Sequence, residues 1–150
     1  MYKLLSYLLD MFIKLGYFIT ASKLPHFVSV TTYVTHGDKI LIQNRSDDKG
    51  FCMPGGLTKA GERVEDAAKR ELQEETGIIT QDLDFLFYSQ NEQKKPIMIV
   101  LVFHVKTYSG KIKDSWEGKV SWEKFDDIKG KMAFDQEKII EKIWELSLKQ

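Results

Sequence analysis

Residues 55–78 read GGLTKAGERVEDAAKRELQEETGI, and this segment predicts a loop followed by a helix. Pro54 and the glycines at positions 55, 56 and 61 disfavour regular structure up to about residue 61. Residues 62–76 contain strong helix formers and neither Pro nor Gly. Gly77 then supplies the residue after the helix, where a left-handed backbone is common and Gly adopts it at little cost.

The predicted helix carries acidic side chains on the face that should be buried. At about 100° per residue, one stripe is apolar and the opposite face is polar. The apolar stripe contains Val64, Ala67, Ala68 and Leu72, and the polar face contains Asp66, Lys69 and Gln73. Glu71 and Glu75 fall within the apolar stripe, and Glu74 borders it. An unpaired buried charge is costly and like charges repel, so these carboxylates favour a bound Mg²⁺, which prefers such oxygens. The alternative is an acidic helix in water, with Lys69 and Arg70 as partners of the carboxylates.

The composition fits one domain without a net charge. The 150 residues include 22 Lys plus Arg and 22 Asp plus Glu, so no overall positive field favours non-specific binding to DNA or RNA. Cys52 is the only cysteine, which excludes an internal disulfide and is typical of a reducing cytoplasm. We therefore expect a cytoplasmic protein with no nucleic-acid partner, in which any nucleotide recognition is local.

Residues 1–25 are rich in apolar and aromatic side chains and predict an N-terminal helical extension. Asp10, Lys14 and Gly16 interrupt this run, whereas a membrane span needs about 20 predominantly apolar residues. A signal peptide is also a poor match, because the basic start of the chain is a single Lys. We expect no membrane span and an extension that packs against the domain or against a second copy in a homodimer. Attachment to a membrane surface is the alternative.

The rest of the chain, residues 26–150, predicts strands before and after the central helix. Strands are expected at residues 27–34, 39–45, 83–90, 97–107 and 120–125, and an amphipathic helix follows residue 135. His36-Gly37-Asp38 reads as a turn that makes the second strand the return of a hairpin. Residues 97–107 are the most apolar and should form a central strand. This order predicts an α/β domain with a mixed sheet covered by helices.

The spacing of the residues in this segment resembles the Nudix box, the signature of the Nudix hydrolases. The pattern is Gly, five residues, Glu, seven residues, Arg-Glu, an aliphatic, any residue, Glu-Glu, any residue, Gly, an aliphatic. The matching positions are Gly56, Glu62, Arg70, Glu71, Leu72, Glu74, Glu75, Gly77 and Ile78, with no departure. The resemblance implies the Nudix α/β/α sandwich and a pyrophosphohydrolase that uses Mg²⁺, with Mn²⁺ as a substitute.

The resemblance also implies roles for residues of the motif. Glu71, Glu74 and Glu75 are expected to bind metal, together with the carbonyl of Gly55. Glu71, Glu74 and Arg70 are the expected catalytic residues: Glu71 either binds metal or deprotonates water, and Arg70 orients a carboxylate through a bidentate contact. Family members differ in which glutamate is the base, and that point stays open. Gly56, Glu62 and Gly77 are expected to be structural, and Glu62 is expected either to pair with Arg70 or to fix the loop.

Two residues outside the motif are further candidates. Arg45 ends a predicted strand where the family often has a phosphate-contacting Arg, and a solvated strand-end charge is the alternative. Glu117 lies in the loop before the strand of Trp122, where many relatives place an additional metal-binding or basic glutamate. Glu123 is the second choice for that role.

The substrate class rests on weaker sequence signals. Relatives specific for ADP-ribose commonly carry a Pro about fifteen residues after the motif, where this chain has Gln93, with Pro96 three residues further. Because this chain lacks that Pro at the expected position, elimination of the ADP-ribose class favours a nucleoside triphosphate pyrophosphatase. An ADP-ribose or nucleotide-sugar pyrophosphatase is the runner-up. A non-catalytic module that binds a nucleotide or a protein is the alternative of another class. Such relatives usually lack one of the box glutamates, and none is missing here.

Overall fold

The expected helices and strands occur in the predicted order, but Gly55–Leu57, expected to belong to a loop, forms a short strand because it pairs with residues 29–31. The computed structural model describes residues 7–8, 11–12, 14–16, 27–90 and 98–148. The strands in this part of the chain are β1 (Phe27–Tyr33), β2 (Thr35–His36), β3 (Lys39–Arg45), β4 (Phe51–Cys52), β5 (Gly55–Leu57), β6 (Ile79–Gln90), β7 (Met98–Ser109) and β8 (Gly118–Glu123). The helices with assigned bounds are α1 (Val64–Thr76), α2 (Phe125–Ile128) and α3 (Gln136–Ser147).

The first sheet has the strand order β5-β1-β7-β6 and is mixed. Strands β1 and β7 run parallel, whereas β5 pairs antiparallel with β1 and β6 pairs antiparallel with β7. The apolar strand β7 therefore lies inside this sheet, as its composition predicts. Because β5 is the edge strand next to β1, the pairing fixes the start of the Gly-rich loop against the sheet.

The second sheet is antiparallel and is built around β3, which pairs with β2, β4 and β8. The predicted hairpin between residues 27–34 and 39–45 is wrong in part. Thr35 and His36 pair with the start of β3 and the carbonyl of Val34 accepts the N–H of Leu41, while β1 belongs to the first sheet. The reason is that both hydrogen-bonding edges of β1 are used by β5 and β7, so β1 cannot also pair with β3.

Helices cover both faces of the first sheet, and the neighbouring residues Val102 and Phe103 of β7 show this directly. Phe103 packs with Ala67 and Ala68 of α1, whereas Val102 belongs to the buried cluster that contains Ile140 of α3. Successive side chains of a strand point to opposite faces, so α1 and α3 lie on opposite sides of the sheet. The predicted α/β class with a mixed sheet covered by helices is confirmed.

Helix α1 starts two residues later than predicted. Arg63 has extended backbone angles, and the helix runs from Val64 to Thr76. Gly77 has a left-handed backbone with φ 76° and donates its N–H to the carbonyl of Gln73. The glycine therefore ends the helix in the way its position predicts.

Helix α3 packs through Ile139, Ile140 and Ile143, which are buried, whereas 41% of the residue Trp144 is exposed. The first residue of α3, Gln136, accepts a hydrogen bond at 2.6 Å from the N–H of Met53 through its side-chain oxygen. This bond connects the second helical layer to the strand that leads into the Gly-rich loop.

The predicted N-terminal extension lies mostly outside the described residues. Residues 7–8, 11–12 and 14–16 are helical, and the side chains of Tyr7 and Phe12 are exposed. In the described part of the chain, no helix is both long and apolar enough to cross a membrane. The boundary at residue 25, the homodimer and the cytoplasmic location stay predictions.

Candidate active site

The Gly-rich loop is anchored to the first sheet at Pro54. The carbonyl of Pro54 accepts hydrogen bonds from the N–H of Thr32 at 2.9 Å and from its hydroxyl at 3.1 Å. The hydroxyl of Thr31 donates to the same carbonyl at 3.3 Å. Both threonines are buried, so the start of the loop is fixed by polar groups inside the domain.

Two adjacent glycines allow the loop to pass close to other groups. A Cβ atom on Gly55 would lie 2.1 Å from the carbonyl oxygen of Val30, which is backbone. A Cβ atom on Gly56 would lie 2.7 Å from the side-chain Cδ of Glu71. The carboxylate of Glu71 therefore rests directly on the loop, and only Gly leaves room for it.

Arg70 connects three carboxylates of the motif. Its Nε and Nη2 atoms donate to the two oxygens of Glu62 at 2.7 and 2.9 Å, which is a bidentate contact. Its Nη1 atom donates to Glu71 at 2.7 Å and to Glu74 at 3.2 Å. The bidentate partner of Arg70 is thus Glu62, which is one of the two contacts expected for that glutamate, and Glu74 accepts a single hydrogen bond.

Glu62 fixes the loop as well as the arginine. Its carboxylate accepts the backbone N–H of Lys59 at 2.9 Å, and its bonds with Arg70 lower the pKa of Glu62 to about 2. Since the carboxylate stays charged, the loop and the helix are connected through one ion pair. The geometry agrees with the structural role that the resemblance implies for Glu62.

Glu75 is the most buried carboxylate of the motif, with 5% of the residue exposed. Its Oε2 atom accepts the backbone N–H of Gly55 at 2.9 Å, and its carboxyl group lies close to that of Glu117. Burial, and then the nearby charges of Glu117 and Glu71, raise the pKa of Glu75 to about 9, against the effect of the Gly55 N–H. A positive ion at this position would stabilise the charged carboxylate and so oppose that shift.

Glu71 and Glu74 differ in exposure. The side chain of Glu71 is 13% exposed, and burial raises its pKa although Arg70 opposes this shift. The side chain of Glu74 is 58% exposed and reaches Arg70. The helix face that holds Leu72 therefore also turns Glu71 and Glu75 inward, with Glu74 at its border, as the helical periodicity predicts.

Glu117 is brought to the motif by a tight turn before β8. The N–H and the hydroxyl of Ser46 donate to the carbonyl of Glu117 at 2.8 and 2.9 Å. The hydroxyl of Ser115 accepts the N–H of Glu117 at 3.3 Å. The side chain of Glu117 reaches Glu75, 42 residues away in sequence, so Glu117 belongs spatially to the acidic cluster. Glu123 lies at the other end of β8, paired with Ile40.

Arg45 is held by protein groups rather than by water. Its Nε and Nη2 atoms donate to the carboxylate of Asp47 at 2.9 and 2.7 Å, and its Cζ atom lies 4.9 Å from the centre of the Phe134 ring. The side chain is 14% exposed. The alternative of a solvated strand-end charge is therefore wrong, and the phosphate contact stays a prediction.

The cluster fits a hard divalent cation by its chemistry. The side-chain atoms there that could bind a metal ion are carboxylate oxygens. Glu75 lies among them in a position that disfavours its negative charge. In residues 27–90 and 98–148, no group of three or more His, Cys, Asp or Glu side chains is already arranged to hold a metal ion. Glu74, which Arg70 holds at the rim, is the member that stands apart.

Comparison with known proteins identifies the family. A model of the NUDIX domain matches residues 25–143 of this chain. The chain belongs to the Nudix family. It is 35% identical to the ADP-ribose pyrophosphatase of Methanocaldococcus jannaschii over 120 residues, which are 75% of this chain and 70% of that protein. The family and the predicted class of enzyme, a pyrophosphohydrolase acting on nucleotides with a divalent metal ion, are confirmed.

Solved structures share the Nudix fold. The crystal structure of the MutT protein from Bacillus halodurans matches with a TM-score of 0.66 and 26% identity, over 76% of this chain and 78% of that chain. A bifunctional NMN adenylyltransferase/ADP ribose pyrophosphatase from Francisella tularensis, complexed with AMP and an Mn ion, matches with a TM-score of 0.70. That match has 23% identity and covers 91% of this chain and 46% of the other, so it supports the fold alone.

Sequence reasoning missed several residues that shape this Nudix site. Asp47, the partner of Arg45, stands two positions after it. An acid so close in sequence to a strand-end arginine indicates a local ion pair. Gln43 interrupts the apolar run of β3, which is a signal for a buried polar contact. Gln136 carries no such signal, because its partner Met53 is distant in sequence.

Proposed function

We propose that this Nudix hydrolase cleaves the pyrophosphate bond of a nucleoside diphosphate derivative, with Mg²⁺ held by Glu71, Glu74 and Glu75 and by the carbonyl of Gly55. The observation that carries the proposal is the burial of Glu75 next to the carboxyl group of Glu117, beneath the Gly-rich loop. A buried carboxylate beside a second acid destabilises the metal-free protein unless a proton or a cation neutralises it. A substrate with several negative phosphate oxygens needs the same cation.

Each residue of the cluster has a distinct part in the proposed reaction. When bound, Mg²⁺ or Mn²⁺ supplies a Lewis acid that neutralises phosphate oxygens and lowers the pKa of water. Glu75 is fixed by the Gly55 N–H, and Glu71 is fixed between Arg70 and Gly56. A water proton is taken up by a carboxylate, and Glu71 and Glu117 are the two candidates for this base.

ADP-ribose is the first candidate substrate. The relative from Methanocaldococcus jannaschii that bears this activity in its name is 35% identical over 120 residues. Addition of water across the pyrophosphate bond would give AMP and ribose 5-phosphate. The sequence position expected to distinguish ADP-ribose hydrolases, Gln93, lies outside the described residues.

A nucleoside triphosphate is the second candidate, because Gln93 stands where hydrolases specific for ADP-ribose commonly carry a Pro. The acidic cluster does not separate the two, because both substrates present a pyrophosphate bond to the same carboxylates. The products separate them, because a triphosphate would give a nucleoside monophosphate and pyrophosphate.

The test is a product screen of the purified chain with Mg²⁺ over ADP-ribose, nucleotide sugars, nucleoside triphosphates and dinucleoside polyphosphates. Glu75→Gln should keep the fold and lower kcat by several orders of magnitude, as expected for loss of a metal ligand. Glu65→Gln on the same helix is the matched control, since Glu65 is paired with Arg63 at the surface. Wild-type turnover in Glu75→Gln, or no turnover of any of these substrates by the wild-type chain, would refute the proposal.

A further inference from the structure

Gln43 is a fully buried polar side chain that follows apolar residues in its strand. It lies in the middle of β3 with 0% of the residue exposed, directly after the buried residues Leu41 and Ile42. A buried amide must be hydrogen-bonded, because an unpaired one costs about 1–3 kcal/mol. An apolar side chain of similar size would fill the same space without that requirement, so the contacts of Gln43 indicate what it does there.

The amide of Gln43 is bonded to the turn that carries Glu117. Its Nε2 atom donates to the hydroxyl of Ser115 at 3.0 Å. The same hydroxyl accepts the N–H of Glu117 at 3.3 Å. The Oε1 atom of Gln43 faces the thiol of Cys52 at 3.9 Å. Two hydrogen bonds in series therefore connect the core of β3 to the backbone of Glu117.

The turn is also packed directly on Gln43. Ser115 and Gly118 bond to each other in both directions, with the two N–H groups donating at 3.1 and 3.3 Å. A Cβ atom on Gly118 would lie 2.9 Å from Cγ of Gln43 and 2.3 Å from the carbonyl oxygen of Asn44. Since there is no space between the turn and the strand, a change at Gln43 is transmitted to the turn.

We propose that Gln43 is a positioning residue that holds the carboxylate of Glu117 against Glu75, and so sets the affinity of the site for a divalent cation. The turn places the carboxyl group of Glu117 close to that of Glu75. Ser46 holds the carbonyl of Glu117 from the other side, so the backbone of this residue is fixed at both of its polar groups. The inference rests on the proposed function, because it gives Gln43 an effect on the same metal site.

The first measurement needs no substrate and no metal. Gln43→Met keeps the volume of the side chain and removes both of its hydrogen-bonding groups, so amide exchange at Glu117 should speed up by about tenfold or more while exchange in α1 is unchanged. Ile40→Val, a conservative truncation of a buried residue on the same strand, is the control for a general loss of stability. Equal exchange at Glu117 in the wild-type chain and in Gln43→Met overturns the proposal.

The second measurement uses calorimetry to determine the affinity for Mn²⁺ in the absence of nucleotide. It is combined with a double-mutant cycle. Gln43→Met should weaken Mn²⁺ binding and lower kcat by about 10-fold, in the range for residues that orient metal ligands. The double variant with Glu117→Gln should be no worse than Glu117→Gln alone, because both changes act through the same carboxylate. Independent, additive effects of the two substitutions would overturn the proposal, as would an equal loss in Ile40→Val.

The same assays distinguish a failure of the proposed function from a failure of the proposed role of Gln43. If the wild-type chain neither binds Mn²⁺ nor hydrolyses any nucleotide, the metal site itself is refuted, whatever Gln43 does to the turn. If the wild-type chain binds and hydrolyses normally and Gln43→Met matches it in both assays, the metal site stands and the role of Gln43 is refuted.

Discussion

Replacing Gly56 with Ala should damage the reaction without damaging the fold. The added Cβ atom would lie 2.7 Å from both Cδ and Oε1 of Glu71 and 2.9 Å from Oε2. Ordinary contact begins at about 3.4 Å, so the carboxylate must retreat by about 0.7 Å. The atoms that must move belong to the end of a side chain, which makes the movement inexpensive for folding.

The expected loss of activity follows from the size of that movement. A misplacement of about 1 Å at a reacting centre lowers the rate by roughly 100-fold, so a displacement of about 0.7 Å should lower kcat by roughly 10- to 100-fold. The unfolding temperature should stay within about 4 °C of the wild type, the shift for about 1 kcal/mol in a domain of this size. Steady-state kinetics at saturating Mg²⁺ and scanning calorimetry measure the two quantities.

Gly55→Ala is the matched contrast one residue away. Its Cβ atom would meet the carbonyl oxygen of Val30 at 2.1 Å and Cα of Thr31 at 2.8 Å, and these backbone atoms belong to the interior strand β1. Pairing of β5 with β1 must then break, and the unfolding temperature should fall by about 10 °C or more. A Gly56→Ala variant with wild-type kcat, or one destabilised as much as Gly55→Ala, would refute this reasoning.

Three further predictions concern titrating groups. Burial raises the pKa of Glu75 to about 9, far above the value of about 4.3 in an unfolded chain, so the folded state binds more protons in between. Urea unfolding with a chelator present should therefore show stability falling from pH 6 to pH 8, and Glu75→Gln should flatten this profile. Arg45 holds the pKa of Asp47 well below its usual range, so Asp47→Asn should cost about 2 kcal/mol at pH 7. In chemical denaturation that cost should shrink as the pH falls below about 4, where the unfolded carboxyl group is protonated; a constant cost would contradict the ion pair. Burial raises the pKa of the Cys52 thiol to about 12, so iodoacetamide at pH 8 should modify it only after unfolding, as mass spectrometry would show.

The motif predicted the central part of the site because its information is local. Residues three and four apart on one helix share a face, so the inward direction of Glu71 and Glu75 follows from periodicity once the apolar stripe is known. The left-handed backbone of Gly77 is a local property as well. These features need no knowledge of the rest of the chain.

Contacts between distant elements could not be predicted in the same way. The motif predicts that Arg70 and Glu62 pair, but the bidentate geometry depends on where the extended residues before α1 place that carboxylate. The division of the strands into two sheets depends on which strands occupy the edges of β1. The contact between Glu117 and Glu75 depends on the register of β8 against β3, which brings Gly118 opposite Arg45.

The hydrogen bond between the N–H of Met53 and the side chain of Gln136 joins positions that are 83 residues apart. A ribosome makes the chain from its N-terminus, so residues 56–78 emerge with every motif glutamate in place while the acceptor for Met53 has not been synthesised. Contacts of such long sequence separation form late because the loop they close is costly to order. A nascent chain that ends at Ile78 therefore holds the complete motif but lacks the bond that fixes the strand leading into it.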